Sequence, residues 1–377
     1  MRGSVRRRGT RSWELRFEMG SDPATGKRLR RFESVVGTKR DAERVLAARL
    51  HELATGALIN PNKLRVAEFG EQWLRDTRAN VAPRTHERYS ELVRLHIAPT
   101  LGAFRLGDLR ASHVIRAQEV WRESRLAAGT VLKLHRLLHK MLGDAVRWQL
   151  IAVNPCAAVR APRAQRVEMT ALSPEQAWVF LEQVRGVDHG ALLSTALHTG
   201  LRLGELRGLR WQDLELETGR LSVTQTVQRI GRELRVAGVK TPRSRRAVAL
   251  APQLVLILRE HRARQVERRL AAGDAWENTD LVFTDALGRP VSEAAVRWAF
   301  WSALRAAGLP RIRIHDLRHT AATLMLGQGE HPKIVSEMLG HSTIAVTLDL
   351  YSHVTPTMQR AAADRLGTLL SGPKPGS

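Results

Sequence analysis

Apolar and polar positions change period along the chain, and the changes divide it. The stretches "SWELRFEM" (residues 12–19) and "KRLRRFESV" (27–35) alternate at a spacing of two, which predicts strands. The intervening "GSDPATGK" carries Asp-Pro and Thr-Gly and predicts a hairpin turn. Thr38 can then N-cap a helix over "KRDAERVLAARLHELATG", with Gly56 at its end. Residues 1–60 therefore predict a small α+β unit. From 65 to 158 the period becomes three to four. "VAEFGEQWLRDTRA", "RTHERYSELVRLHIAPTLG", "SHVIRAQEVWRESRLAAG" and "TVLKLHRLLHKMLGDAVRWQLI" predict an all-α bundle punctuated by Pro83, Pro99, Gly129 and Pro155. Tyr89, beside Leu92 and Val93, is a packing residue of that bundle. A polar, basic stretch with Pro162 makes 159–169 a linker. Ser173 as N-cap and Pro174 at the first helical position restart helix in a larger domain, 170–370. That domain is mainly helical, with strands at 220–228, 234–238 and 245–250. The tail "SGPKPGS" (371–377) has the composition of a disordered end. The fold class is mainly α with small β-sheets, in several domains.

Charge narrows the function. The 377 residues carry a formal +23, with 60 Lys and Arg against 37 Asp and Glu. Phosphates neutralised by cations release counterions, so nucleic acid is the expected partner. Residues 1–60 alone hold 14 basic and 7 acidic side chains, and a small Arg-bearing sheet suits a DNA groove. Membrane surfaces attract cations too, but no apolar run is long enough to span a bilayer; "VALAPQLVLIL" is broken by Pro252 and Gln253. The basic N-terminus has no apolar core behind it, so no secretory signal is expected. A lone cysteine, Cys156, excludes an intrachain disulfide and fits a cytoplasmic setting. Only eight of the basic residues are lysines. Each matters, because lysine can release a proton at a cost arginine cannot meet.

Four stretches of the last domain offer chemistry. In "HTGLRLGELRGLRW" (198–211) Gly200 and Gly204 bracket Arg202 at a helix start, and Glu205 three residues on can hold its side chain. Lys240, in the turn of "VKTPRSRRAVAL" (239–250), is a proton donor or a solvated hairpin tip. His315 and Arg318 in "IRIHDLRHTAATLML" (312–326) share one helix face. The H-D-L-R-H there imitates a zinc motif, but Asp316 is a methylene short of Glu and Arg318 would place a cation beside the metal, so no metal is expected. In "LGHSTIAVTLDLYSHV" (339–354) His341 opens a short helix, and Tyr351, one of only two tyrosines, ends it. Ile344, Val346, Leu348 and Leu350 are expected to anchor that helix. "GSDPATGK" fails as a phosphate loop, because five residues separate its glycines and Arg28 follows Lys27. No cofactor is expected.

The order Arg, Lys in a β turn, H-x-x-R, G-H, Tyr resembles the tyrosine recombinase (phage integrase) family, carried by "TGLRLGE", "VKTPRSRR", "HDLRHT", "LGH" and "LDLYSHV". The resemblance implies that Tyr351 is the nucleophile and that Arg202 and Arg318 hold the scissile phosphate. It implies that His315 assists proton transfer, Lys240 protonates the leaving 5′ oxygen and His341 hydrogen-bonds the phosphate. It further implies a core-site-binding domain at 65–158, an arm-site-binding domain at 1–60, and a homotetramer on double-stranded DNA. A DNA-bending accessory protein and an excision factor are further partners of such enzymes. The amphipathic segment 356–370 is expected to dock on a neighbouring subunit. The implied activity is site-specific recombination that integrates or excises a mobile element through a 3′-phosphotyrosine. Two other readings stay open. A type IB topoisomerase-like enzyme would relax supercoils with no second site. A regulator that has lost catalysis would lack one of the six side chains.

Overall fold

The computed structural model describes residues 3–21, 28–54, 64–164, 169–231, 233–238, 245–341, 343–351 and, near the end, 363–364, 366–367 and 370. The chain separates into two compact units, Met1–Gln165 and Arg166–Ser377.

The first unit opens with an antiparallel sheet in the order β1 (Gly3–Arg7), β2 (Ser12–Ser21), β3 (Arg28–Val36). Strand β1 escaped the sequence pattern, because "GSVRR" has a single apolar residue. Leu15 and Phe17 are fully buried, with the exposed Arg16 between them. Helix α1 (Lys39–Ala54) lays Ala42 and Leu46 over that inner face. The Thr38 hydroxyl caps it, meeting the Asp41 backbone N–H at 3.3 Å and Asp41 Oδ2 at 2.7 Å. On the outer face Arg16 pairs in register with Phe32, its guanidinium 5.9 Å from the ring centre.

Helices α2 (Val66–Thr77), α3 (Pro83–Leu92), α4 (Ala98–Leu101), α5 (Ala111–Glu123) and α6 (Ala128–Arg147) form the predicted bundle. Two punctuation marks act differently from expectation. Pro99 does not break the chain direction: a π turn over Val93–Ile97 joins α3 to α4 and accommodates the proline's missing N–H. Gly129 lies inside the first turn of α6, where helix bonds are not yet required of its N–H. Tyr89 packs against Trp73 with ring centres 5.5 Å apart. Buried Asp144 accepts a 2.7 Å bond from Trp73 Nε1 and pairs with Arg147, which fixes α2 against α6.

In the second unit Ser173 caps α7 (Pro174–Val184), accepting from the Gln176 N–H at 3.2 Å. Helix α8 (Gly190–Thr199) is apolar on nearly every side and runs through the core. After it come α9 (Leu203–Arg207), β4 (Leu214–Glu215), β5 (Arg220–Val223), β6 (Gln225–Ile230), β7 (Glu233–Gly238) and β8 (Arg246–Ala249). Thr224, hydrogen-bonded to Asp213, divides the predicted 220–228 strand between two sheets. One sheet is β4-β5-β8 and the other is the β6-β7 hairpin. Leu221 and Val248 face each other in register and are buried. Helices α10 (Pro252–Ala272), α11 (Glu293–Ala306), α12 (Ile314–Gly327), α13 (Pro332–Leu339) and α14 (Ile344–Tyr351) complete the unit. No helix among the described residues is long and apolar enough to cross a membrane.

Candidate active site

Two chain reversals and one helix start bring distant residues together. Gly200 ends α8 at φ +63°, a left-handed conformation that favours glycine, and a Cβ there would overlap Leu339. Gly340 ends α13 at φ +68°, where a Cβ would come within 2.9 Å of Arg246 Nη1. Arg202 is the N-cap of α9 in extended conformation. The two glycines let the ends of α8 and α13 approach closely enough for arginines to bridge them.

Arg318, on α12 and only 5% exposed, does the bridging. Its Nη1 donates to Gly200 O at 2.8 Å and to Leu339 O at 2.6 Å. Its Nη2 is buried and has no hydrogen-bond partner among the described residues. Arg202 Nη2 donates to Gly340 O at 3.0 Å, while Arg202 Nη1 donates to Glu205 Oε1 at 2.9 Å. Glu205 thus holds Arg202, as the three-residue spacing predicts. It also accepts the Arg202 backbone N–H at 2.9 Å.

Glu205 has a second partner that sequence reading passed over. Arg246, at the start of β8, donates to Glu205 Oε2 at 2.8 Å and Oε1 at 3.2 Å, and through Nε to Met338 O at 2.7 Å. The Glu205 and Arg246 side chains are each 6% exposed. Burial alone would raise the Glu205 pKa. The Arg246 hydrogen bond and charge, then the Arg202 N–H and charge, outweigh it and hold the carboxyl below its ordinary value.

Arg202 and Arg246 both pair with the Glu205 carboxylate, and Arg318 lies close enough to feel its charge and theirs. Burial first, then the charge of Arg202, push Arg318 down to about 9, with Glu205 opposing and Arg246 adding to the shift. It remains a cation at neutral pH. An anion entering here would offset the repulsion between Arg318 and Arg202 and satisfy Arg318 Nη2.

His341 follows Gly340 at the end of α13, and its Nδ1 lies 2.8 Å from Thr347 Oγ1 on α14. Burial, then Arg318, Arg202, Arg246 and His315, lower its pKa to about 4, so its ring is neutral at pH 7. His315 lies in the first turn of α12, one turn before Arg318, and is exposed. Protein packed beneath it, then Arg318, lower its pKa as well; Asp316 opposes. Asp316 is itself engaged, accepting the Arg313 N–H at 2.7 Å and Arg313 Nη2 at 2.7 Å. That use leaves the imitation zinc motif without its central carboxylate. Among the described residues no cluster of His, Cys, Asp and Glu could hold a metal.

The structure thus brings Arg202 and Arg318 to the carbonyls of Gly340 and Leu339, just before His341, with His315 and His341 close enough to feel both arginines. Lys240 lies outside the described residues, between β7 and β8. Tyr351 is the last residue of α14, and its side chain lies outside the described set. The expected anchoring of α14 needs correction. Ile344 and Leu348, one turn apart, are 45% and 46% exposed, while Thr347 is fully buried. The helix turns its polar threonine inward to meet His341. Val346 and Leu350 have side chains outside the description, and of the segment 356–370, expected to dock on a neighbouring subunit, residues 356–362, 365, 368 and 369 lie outside the described residues. Nothing in the sequence singled out Arg246 among so many arginines, and Thr347 reads locally as an ordinary helix residue.

Residues 171–358 match the family described as "Phage integrase family", and residues 66–122 match "Phage integrase, N-terminal SAM-like domain". An integrase from Streptomyces ambofaciens is 31% identical over 379 residues, covering 96% of this chain and 94% of its own length. A XerC-like tyrosine recombinase from Caldanaerobacter subterraneus subsp. tengcongensis is 28% identical, covering 96% of this chain and 97% of itself. The Tn1549 transposon integrase, solved with a circular intermediate DNA, superposes with a TM-score of 0.69 at 22% identity over 81% of this chain and 100% of that one. That likeness shows the same mainly helical fold with small sheets. The chain belongs to the phage integrase family and is a tyrosine recombinase, an enzyme that cleaves and rejoins DNA in site-specific recombination.

Proposed function

We propose that this recombinase cuts each strand through attack of Tyr351, leaving a 3′-phosphotyrosine and a free 5′ hydroxyl, and so integrates or excises the mobile element that encodes it. One observation carries the assignment of the site: the buried Arg318 guanidinium keeps Nη2 without a partner among the described residues, close enough to Arg202 to feel its charge. A phosphodiester has the negative charge and the acceptors to meet them. Two guanidiniums on its non-bridging oxygens offset the charge that grows as a phenolate attacks.

The other roles follow the chemistry. A phenol with an ordinary pKa near ~10 needs help to ionise at pH 7, and neutral His315 can take its proton. Lys240 can protonate the departing 5′ oxygen, which arginine cannot readily do. Neutral His341 donates one hydrogen bond to the phosphate. The phosphotyrosine conserves the broken bond, so rejoining needs no ATP, and side-chain cations do what a metal would do elsewhere. The family resemblance supports a homotetramer on two double-stranded sites, with 65–158 reading core sites, 1–60 reading arm sites and 170–370 catalysing. The exposed Arg16–Phe32 face of the N-terminal sheet suits DNA contact.

The experiment is single-turnover adduct formation on a nicked duplex carrying the element's own attachment site. Replacing Arg318 with Lys, or Arg202 with Lys, lowers the rate by about 10²–10³ while mobility-shift binding persists, the effect of losing one preorganised donor. Unchanged adduct formation by both variants removes the two arginines from the phosphate site.

A further inference from the structure

We infer that Thr347 is a positioning residue for strand cleavage: its buried hydroxyl selects the ring nitrogen with which His341 meets the scissile phosphate and ties that ring to the helix ending in Tyr351. The inference rests on the proposed role of His341 at the phosphate.

Thr347 is fully buried, although Ile344 and Leu348 on the same helix are left in solvent. A hydroxyl held inside while apolar neighbours face out needs a polar reason, because a buried polar group without a partner is costly. The partner is His341 Nδ1 at 2.8 Å. With Nδ1 engaged, Nε2 is the nitrogen left for substrate.

The ring carries one proton, since His341 is neutral at working pH. A phosphate oxygen only accepts, so Nε2 must bear that proton and Nδ1 must be bare. A bare nitrogen needs a donor. The Thr347 hydroxyl can donate, whereas a backbone carbonyl could not. His261 in the same unit shows the alternative: its Nε2 meets the Val282 carbonyl at 2.8 Å, so that nitrogen is bound to carry its proton inward. Because the partner of His341 is a hydroxyl, the donating tautomer toward DNA is the one the surroundings support.

The second part is positional. Thr347 and Tyr351 are one helical turn apart on α14, so they share a face. A ring that docks on the phosphate and holds Thr347 also limits where the tyrosine end of the helix can go. The charged and titratable groups around His341 are Arg318 from α12, Arg202 before α9, Arg246 from β8 and His315 from α12. None of them supplies a hydrogen bond to Nδ1.

The test uses the full chain, the nicked attachment-site duplex and two substitutions. Thr347→Val keeps shape and removes the hydroxyl. It should lower the adduct rate by about tenfold, the rate equivalent of one hydrogen bond, with DNA affinity unchanged. Thr347→Ser should restore most of the rate. Thr347→Val should add nothing in a His341→Ala background. With ¹⁵N-histidine labelling of the DNA-free protein, His341 should show its proton on Nε2, and Thr347→Val should shift that tautomer balance. Wild-type cleavage by Thr347→Val, additive losses in the double variant, or an Nδ1-protonated ring in the wild type would overturn the inference. Wild-type cleavage by His341→Ala would instead remove the phosphate role of His341, and the inference with it.

Discussion

Replacing Arg246 with Met tests the charge cluster where it is most buried. The substitution keeps length and removes the guanidinium that gives Glu205 two hydrogen bonds and Met338 O a third. Glu205 would then be a buried carboxylate held, among the described residues, by Arg202 alone, whose side chain is 41% exposed. Removing one partner of a buried ion pair costs about 3–5 kcal/mol. For a domain of this size each kcal/mol moves Tm by roughly 2–4 °C, so the loss is about 6–20 °C. Denaturant unfolding followed by circular dichroism at pH 7 measures it. The pH dependence gives a second check. Glu205 sits below its ordinary value of 4.5 in the folded chain. Its stabilisation is therefore complete above that value and is lost as pH falls through the folded value. The gap between wild type and Arg246→Met should be widest near pH 7 and narrow below pH 4.5. A variant within about 0.5 kcal/mol of wild type at pH 7, the range of an ordinary surface change, would refute the coupling of Arg246 to Glu205.

Three further outcomes are expected. Tyr351→Phe should bind the attachment site normally and form no covalent product; an adduct in that variant removes Tyr351 from the mechanism. Core-site affinity should fall steeply with salt on a linear log–log plot, as multiple phosphate contacts require, and a flat plot would contradict the charge argument. A chain lacking residues 1–60 should still cleave a core site but recombine poorly; equal recombination with and without that segment would refute the arm-site role.

Much of this was legible in the sequence because it is local. Alternation at 12–19, the three-to-four spacing of the bundle and the Ser173-Pro174 start each encode their element within a few residues. So does the Arg202–Glu205 pair, which spans one helical turn. What the pattern missed is long-range or context-bound. Strand β1 exists only because β2 offers it a partner, since "GSVRR" has little strand signal of its own. The π turn that carries the chain towards Pro99 buries Val93 and Ile97, and no apolar period in the sequence marks it. Arg246 matters because β8 places it 41 residues along the chain from Glu205. Thr347 faces inward because His341 waits there, which no period of apolar residues reveals; the expected Ile344 and Leu348 anchors point to solvent for the same reason.

The most direct measurement is peptide mapping by mass spectrometry of the covalent complex trapped on a nicked attachment-site duplex. The account predicts one modified peptide, with Tyr351 joined to a 3′-phosphate of DNA. A bond to any other side chain, or to a 5′-phosphate, would contradict it.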